Sequence, residues 1–185
     1  PLAKTGGLAD VAAALPRALR NAGVDCRVLV PGYPSVRSAL SDMWEVAAVD
    51  PPAALPAARV VGGKLDDAPA FTVECESLYE RDGGPYHDND GREWPDNAQR
   101  FALLSWAAAV LGSSACPTTW RPDVVHCNDW QAGLVPAYLH FADVPRAATL
   151  FAVHNIAYQG NFHRDLVTTF GLPASCFAMH GVEFH

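Results

Sequence analysis

Apolar residues recur at helical spacing in the first part of the chain. They share one face of a 3.6-residue period and comprise Leu8, Val11, Leu15, Leu19 and Ala22. The pattern predicts a helix from Leu8 that ends near Gly23, since glycine suits a carboxyl-terminal cap. Pro16 is expected to kink this helix, because proline removes one backbone hydrogen bond and clashes with the preceding turn.

Shorter apolar runs follow the first helix. The run "VDCRVLVPGY" is closed by Pro31 and Gly32 and predicts a buried strand. Two further strands are predicted at "ARVVGGKL" and "AFTVECESLY". The segment "ERDGGPYHDNDGREWPDN" is dense in Gly, Pro, Asp and Asn and predicts a long loop, a type of loop that is often functional.

The last part of the chain has the most regular pattern. "NAQRFALLSWAAAVLG" predicts a helix, and it is followed by strand "PDVVHCN", helix "DWQAGLVPAYLHF" and strand "ATLFAVHN". Two apolar strands joined by a helix form a βαβ unit with parallel strands and a right-handed crossover. The whole chain therefore predicts an α/β domain with a doubly wound, mostly parallel, Rossmann-like sheet.

Composition narrows the function classes. The chain has 185 residues, half of them hydrophobic, and its net charge is −7, from 13 Lys and Arg against 20 Asp and Glu. An acidic chain without a basic stripe disfavours a nucleic-acid binder, and no apolar run reaches the roughly 20 residues of a membrane span. The five cysteines are scattered and form no C-x-x-C pair, which is typical of reduced cytosolic thiols without a zinc site.

Polar residues follow the two strands of the predicted βαβ unit. The first strand ends in His126, Asn128 and Asp129, and the second ends in His154 and Asn155. Because parallel strands present their carboxyl ends at one edge, both groups are expected to open onto that edge, where α/β sheets bind ligands. Asp129 has an alternative interpretation as a helix N-cap, and His126 is more typical of a structural histidine at the end of a buried strand.

The opening segment has the chemistry of an anion site. A helix N-terminus carries partial positive charge and unpaired N–H groups. Lys4 adds a full positive charge, and Gly6 and Gly7 let a ligand approach the backbone closely. The segment matches neither G-x-G-x-x-G nor the P-loop pattern, so a plain glycine-rich turn stays open as an alternative.

Other polar and aromatic residues are compatible with more than one role. Tyr86, His87 and Asp88 on the long loop are compatible with ordinary turn chemistry. Trp94, Trp120 and Trp130 could stack on sugars, but buried aromatic residues more often belong to a core.

Six segments in register resemble bacterial glycogen synthases and plant starch synthases. They are "KTGGLADVAAALPRAL", "SLYERDGGPYHD", "DNAQRFALLSWAA", "WRPDVVHCNDWQAGLVPAYL", "FAVHNIAYQGNF" and "FGLPASCFAMHGVEF". The resemblance spans almost the whole chain. It implies a retaining hexosyltransferase of the GT-B type, which moves glucose from ADP-glucose to the non-reducing end of an α-1,4-glucan without a metal or other cofactor.

The same resemblance implies roles for individual residues. Lys4, Gly6 and Gly7 match the family's contacts with the phosphate and sugar of the donor, and Tyr86 matches a tyrosine that lines the cleft. Asp129 and His154 match catalytic positions beside the transferring glucose, and Asn155 joins them as a substrate-binding residue. Neither nucleic acid nor a membrane is expected as a partner.

The resemblance also bears on the extent of the protein. Residues 1–185 correspond to a partial N-terminal catalytic domain, since the chain begins without Met and the family continues into a second domain. We therefore expect little or no activity from these residues alone. A non-catalytic glucan- or partner-binding protein is the alternative, whereas a dehydrogenase is disfavoured by the missing G-x-G-x-x-G. The expected location is the bacterial cytoplasm, or the plastid if the source is a plant or alga.

Overall fold

The computed structural model describes residues 7–52 and 54–183, and it confirms the predicted α/β class. The described residues fall into two compact units. Unit 1 comprises those within 1–48 and 58–97, and unit 2 comprises those within 49–57 and 98–185. Lys4 and Gly6 lie outside the described residues.

Unit 1 begins with the predicted amphipathic helix. Helix α1 (Gly7–Asn21) runs through Pro16 and is followed by strand β1 (Val28–Pro31) and helix α2 (Pro34–Ala39). Strands β2 (Ser41–Val49), β3 (Ala58–Leu65) and β4 (Ala68–Glu74) come next, and then helix α3 (Glu76–Tyr79).

The four strands of this region form one sheet in the order β1-β4-β3-β2. β1 pairs with β4 in parallel, with Val30 opposite Thr72, whereas β3 and β4 form an antiparallel hairpin. The hairpin turns at Asp66 and Asp67, which both adopt positive φ, a conformation that aspartate tolerates better than most residues. A short two-residue connection of this kind favours antiparallel neighbours.

Several elements of unit 1 differ from the sequence prediction. α2 and β2 were not predicted, and the segment "AFTVECESLY" is a strand only as far as Glu74, after which Glu76–Tyr79 is helical. Their hydrophobic patterns are too short or irregular to define a period.

Unit 2 contains the predicted βαβ segment. Helix α4 (Asn97–Leu111) precedes strand β5 (Val124–Asn128), and β5 pairs in parallel with strand β6 (Ala148–Ala152). The predicted helix between them is divided into a 3-10 helix (Trp130–Ala132) and helix α5 (Val135–Phe141), and Pro136 lies in the first turn of α5. Helix α6 (Leu166–Thr169) and a second 3-10 helix (Ala174–Cys176) follow.

The core of unit 2 includes Cys127 of β5. Its buried residues are Ala109, Cys127, Val135, Tyr138, Leu139, Leu172 and Cys176. The Tyr138 hydroxyl donates a hydrogen bond to the Phe170 carbonyl at 2.9 Å, and burial raises the pKa of this phenol. β5 and β6 are less buried than expected of the two apolar strands that the sequence predicted, because Leu150 is 51% exposed and His126 is also exposed.

No helix among the described residues combines the length and apolar character that a membrane span requires.

Candidate functional site

The carboxyl ends of β5 and β6 meet as the sequence predicted. Asn128, the last residue of β5, lies opposite Ala152, the last residue of β6. Asp129 follows Asn128 directly, and His154 follows Ala152 after one residue. We call Asn128, Asp129, His154 and Asn155 the strand-end cluster.

The Asp129 carboxylate joins the two strand ends. Its Oδ1 accepts hydrogen bonds from the backbone N–H groups of His154, at 2.6 Å, and Asn155, at 3.3 Å. The Asp129 backbone N–H donates to the Ala152 carbonyl at 2.9 Å. Asp129 is only 7% exposed, so these bonds satisfy a carboxylate that would otherwise be costly to bury.

The interpretation of Asp129 as a side-chain N-cap was wrong. Asp129 precedes the 3-10 helix, but its φ of 54° lies outside the extended region that capping residues adopt. This backbone directs the carboxylate to the amides after β6 instead. A non-glycine residue at positive φ is strained, and such strain persists where the surrounding contacts compensate for it.

The His154 imidazole is exposed and hydrogen-bonded on one side. Its Nε2 lies 2.9 Å from Asn128 Oδ1. Asn128 Nδ2 in turn donates to the His126 carbonyl at 3.3 Å. His126, which the sequence predicted to be structural, therefore contributes its backbone carbonyl to the hydrogen bonds that link Asn128 and His154.

Asn155 forms a local turn at the same edge. Its backbone N–H reaches Asp129, and its Oδ1 accepts the N–H of Ala157 at 3.0 Å. The backbone after β6 is therefore held from both sides, and the exposed His154 ring projects from a fixed segment.

Trp130 follows Asp129, is half-buried and packs against aromatic side chains. Its ring centroid lies 4.8 Å from that of Phe101 and 5.7 Å from that of Phe162. Gly160 adopts a φ of +63°, and a Cβ there would lie 2.4 Å from the indole. The segment after His154 therefore requires glycine at this close approach.

Cys127 lies directly before Asn128 and points into the core. It is 1% exposed, and burial raises the pKa of its thiol to about 11. A thiol with so high a pKa is a poor nucleophile at neutral pH, which assigns Cys127 a packing role.

The remaining predicted residues belong to unit 1. Gly7 is the exposed first residue of α1. Tyr86 lies in the loop of residues 81–96, and its carbonyl accepts hydrogen bonds from Trp94 N–H, at 2.9 Å, and Asn97 Nδ2, at 3.0 Å.

A latch that the sequence did not reveal closes the 81–96 loop. Arg81 donates two hydrogen bonds to the Asp96 carboxylate, at 3.0 and 2.8 Å, and its guanidinium lies 4.9 Å from the centre of the Trp94 ring. Trp94 Nε1 donates to the Gly84 carbonyl at 3.0 Å. We call Arg81, Asp96 and Trp94 the loop latch, and it fixes the backbone that carries Tyr86.

Sequence reasoning placed Asn128 at a strand end without singling it out. The available signal was its position beside Asp129 in "CNDW", but only the structure shows its contact with His154. Within the described residues, no group of three or more His, Cys, Asp or Glu side chains is arranged to hold a metal ion.

The family model described as starch synthase catalytic domain matches residues 1–185. The glycogen synthase of Nitrosomonas eutropha is 52% identical over 190 residues, and that of Paramagnetospirillum magneticum is 53% identical over 189. Each alignment covers the whole of this chain and 38% of the relative, so the chain spans about 38% of the length of these curated relatives.

A solved structure shares the fold. The catalytic domain of starch synthase IV from Arabidopsis thaliana, bound to ADP and acarbose, matches with a TM-score of 0.77 and 24% sequence identity. The match covers 95% of this chain and 36% of that one.

Proposed function

The chain belongs to the starch synthase catalytic domain family, and from this premise we propose that the protein transfers glucose from ADP-glucose to the non-reducing end of an α-1,4-glucan. The proposed reaction retains the anomeric configuration of the glucose. We propose glycogen as the product and the bacterial cytoplasm as the location, because the similar glycogen synthases reported above are bacterial.

The family match over residues 1–185 is the observation that supports this proposal most strongly. The strand-end cluster adds a physical reason, since it lies at the edge of a parallel β-pair where α/β proteins bind ligands. We propose that the donor glucose contacts the His154 ring and that Asn155 contributes to the same subsite.

The role that we propose for Asp129 follows from its hydrogen bonds. Because Oδ1 accepts the N–H groups of both His154 and Asn155, the carboxylate fixes the backbone of two residues that face the sugar. Holding reactants in place in this way lowers the entropic part of the barrier. Asp129 thus supports catalysis by positioning as well as by its negative charge near the transferring glucose.

The proposed donor-diphosphate site is at the start of α1. Departure of a diphosphate requires cations or backbone dipoles to stabilise the negative charge that develops. We propose that Lys4 and the N–H groups near Gly6 and Gly7 provide part of this stabilisation. Tyr86, on the latched loop, is proposed to line the substrate cleft.

The direct test measures incorporation of labelled glucose from ADP-glucose into glycogen by the protein expressed at the full length of its reading frame. Transfer is expected, and Lys4→Ala should lower kcat/KM by an amount equivalent to about 2 to 4 kcal/mol of transition-state stabilisation. Arg92→Ala is a matched control, since Arg92 forms an exposed ion pair with Asp90 and should leave kcat/KM unchanged.

One result would contradict the transferase proposal, and another would contradict only the role of Lys4. Glycogen binding without detectable transfer would favour a non-catalytic glucan-binding protein. Unchanged kcat/KM in Lys4→Ala would leave the transferase proposal standing but would contradict the proposed contact of Lys4 with the donor diphosphate.

A further inference from the structure

We propose that Asn128 is a positioning residue that holds neutral His154 as its Nε2–H tautomer and leaves Nδ1 as a hydrogen-bond acceptor toward substrate. The inference rests on the proposed function for the identity of the substrate. Its structural part depends only on the hydrogen bonds of Asn128 and His154.

The orientation of the Asn128 amide follows from its contact with His126. A backbone carbonyl oxygen can only accept, so the Asn128 atom that lies 3.3 Å from the His126 carbonyl must be the donor Nδ2. The opposite end of the amide, directed toward His154, is therefore the carbonyl oxygen Oδ1.

The tautomer of His154 follows from that orientation. Oδ1 of an asparagine can only accept, so the ring nitrogen at 2.9 Å must donate. A neutral imidazole has one donor nitrogen and one acceptor nitrogen, and the bond made by one fixes the state of the other. Neutral His154 consequently carries its proton on Nε2 and an available lone pair on Nδ1.

Both partners of this hydrogen bond are held in place by neighbouring residues. Asn128 follows the buried Cys127 and ends β5 opposite Ala152. The His154 backbone is fixed by the bond from its N–H to Asp129 Oδ1 at 2.6 Å. Because the Asn128–His154 bond joins two anchored segments, little entropy is lost in forming it, and it orients the exposed ring.

The assignment predicts how His154 recognises a sugar. An acceptor at Nδ1 pairs with a hydroxyl that donates its proton, so a glucose hydroxyl contacts His154 as the donor. The opposite tautomer would require the sugar oxygen to accept. A donor sugar that lacks the contacting hydroxyl would leave Nδ1 without this bond and would bind less well.

The tautomer can be measured without substrate. We would record two-bond proton–nitrogen correlations of the histidine rings in the protein expressed at the full length of its reading frame, and assign His154 by the signals that disappear in His154→Gln. Neutral wild-type His154 should show the Nε2–H pattern. An Nδ1–H pattern in the wild-type protein would overturn the proposal without any variant.

Variants at Asn128 separate positioning from simple packing. Asn128→Ala should give a mixture of His154 tautomers. It should also lower kcat/KM about 3- to 10-fold, the effect expected from the loss of one hydrogen bond. Asn128→Asp keeps an acceptor oxygen and should retain the Nε2–H tautomer. Asn21→Ala, at the exposed end of α1, is the matched control and should change neither quantity.

The two readouts keep this inference distinct from the proposed function. An unchanged tautomer in Asn128→Ala contradicts the role of Asn128, whatever the activity. Absence of glucose transfer by the wild-type protein contradicts the proposed function, while the tautomer measured in its rings still decides the assignment.

Discussion

At the residue scale, the site depends on how one buried carboxylate is satisfied. Asp129 Oδ1 accepts two backbone N–H groups across the strand pair, and Asp129 itself adopts a positive φ. Asn128 makes the neighbouring bond to the His154 ring. Two adjacent residues thus hold the backbone and the side chain of one histidine.

Substitution of Asp129 should reveal this role through stability. Asp129→Ala removes hydrogen bonds to a charged acceptor and should lower the free energy of unfolding by about 1.5 to 3 kcal/mol. Asp129→Asn keeps an acceptor oxygen, and asparagine tolerates positive φ. Its free energy of unfolding should therefore fall by less than that of Asp129→Ala. Denaturant titration measures both.

Asp123→Ala serves as the matched control for these variants. Asp123 is exposed just before β5, and its substitution should change stability by no more than about 0.5 kcal/mol. Equal losses in Asp129→Ala and Asp129→Asn would contradict the importance of the acceptor oxygen.

Burial of Cys127 predicts a pH dependence of stability. The pKa of its thiol rises from 9.0 to about 11 on folding, so the folded state keeps a proton that the unfolded state loses between these values. The contribution of Cys127 to the free energy of unfolding is fully present below pH 9. It falls by about 1.4 kcal/mol per pH unit until about pH 11.

Comparison with Cys127→Ala isolates this contribution, because Tyr138 and Cys176 titrate in both proteins. The variant should be less stable near pH 8, and the difference should shrink as the pH rises above 9. A stability difference that stays constant from pH 8 to pH 11 would argue against titration of Cys127.

At the element scale, the 81–96 loop is ordered without regular secondary structure. The loop latch joins its two ends, and Tyr86 and Gly84 supply the carbonyls that bind Asn97 and Trp94. The sequence predicted the loop from its Gly, Pro and Asp content. It could not predict the latch, because the pairing of Arg81 with Asp96 depends on the path of the backbone between them.

Arg81→Ala should loosen this loop. Both side chains of the Arg81–Asp96 pair are about one-fifth to one-quarter exposed, and loss of two charge-assisted hydrogen bonds should cost about 1 to 2 kcal/mol. Chymotrypsin should then cleave faster after Tyr86, since local opening exposes this bond.

Arg92→Ala is the control within the same loop. The Arg92 and Asp90 side chains are 77% and 70% exposed, and such pairs contribute little to stability. We expect wild-type cleavage rates in this variant. If Arg81→Ala is cleaved no faster than Arg92→Ala, Arg81 does not hold the loop.

At the scale of the whole molecule, the described residues form two compact units, and the predicted site residues are distributed between them. Unit 1 contains Gly7 and Tyr86, and unit 2 contains the strand-end cluster. The matched relatives are considerably longer than this chain. The proposed transferase activity should therefore be tested on the protein expressed at the full length of its reading frame.

Residues 1–185 expressed by themselves should transfer little or no glucose. The proposed reaction needs stabilisation of the departing diphosphate as well as contacts to the sugar, and the chain spans about 38% of the length of its curated relatives. The assay is glucose incorporation from ADP-glucose into glycogen, compared at equal molarity with the full reading frame. Comparable rates would contradict this prediction.

The sequence by itself determined the fold class, the family, helices α1 and α4, and the meeting of two polar strand ends. Hydrophobic period and the parallel βαβ rule depend on local pattern, so they can be read from one sequence. The tertiary structure alone decided that Asp129 binds amides rather than caps a helix, and that Asn128 contacts His154. These contacts join residues 25 and 26 positions apart, and their geometry depends on backbone angles and strand register that no local pattern specifies.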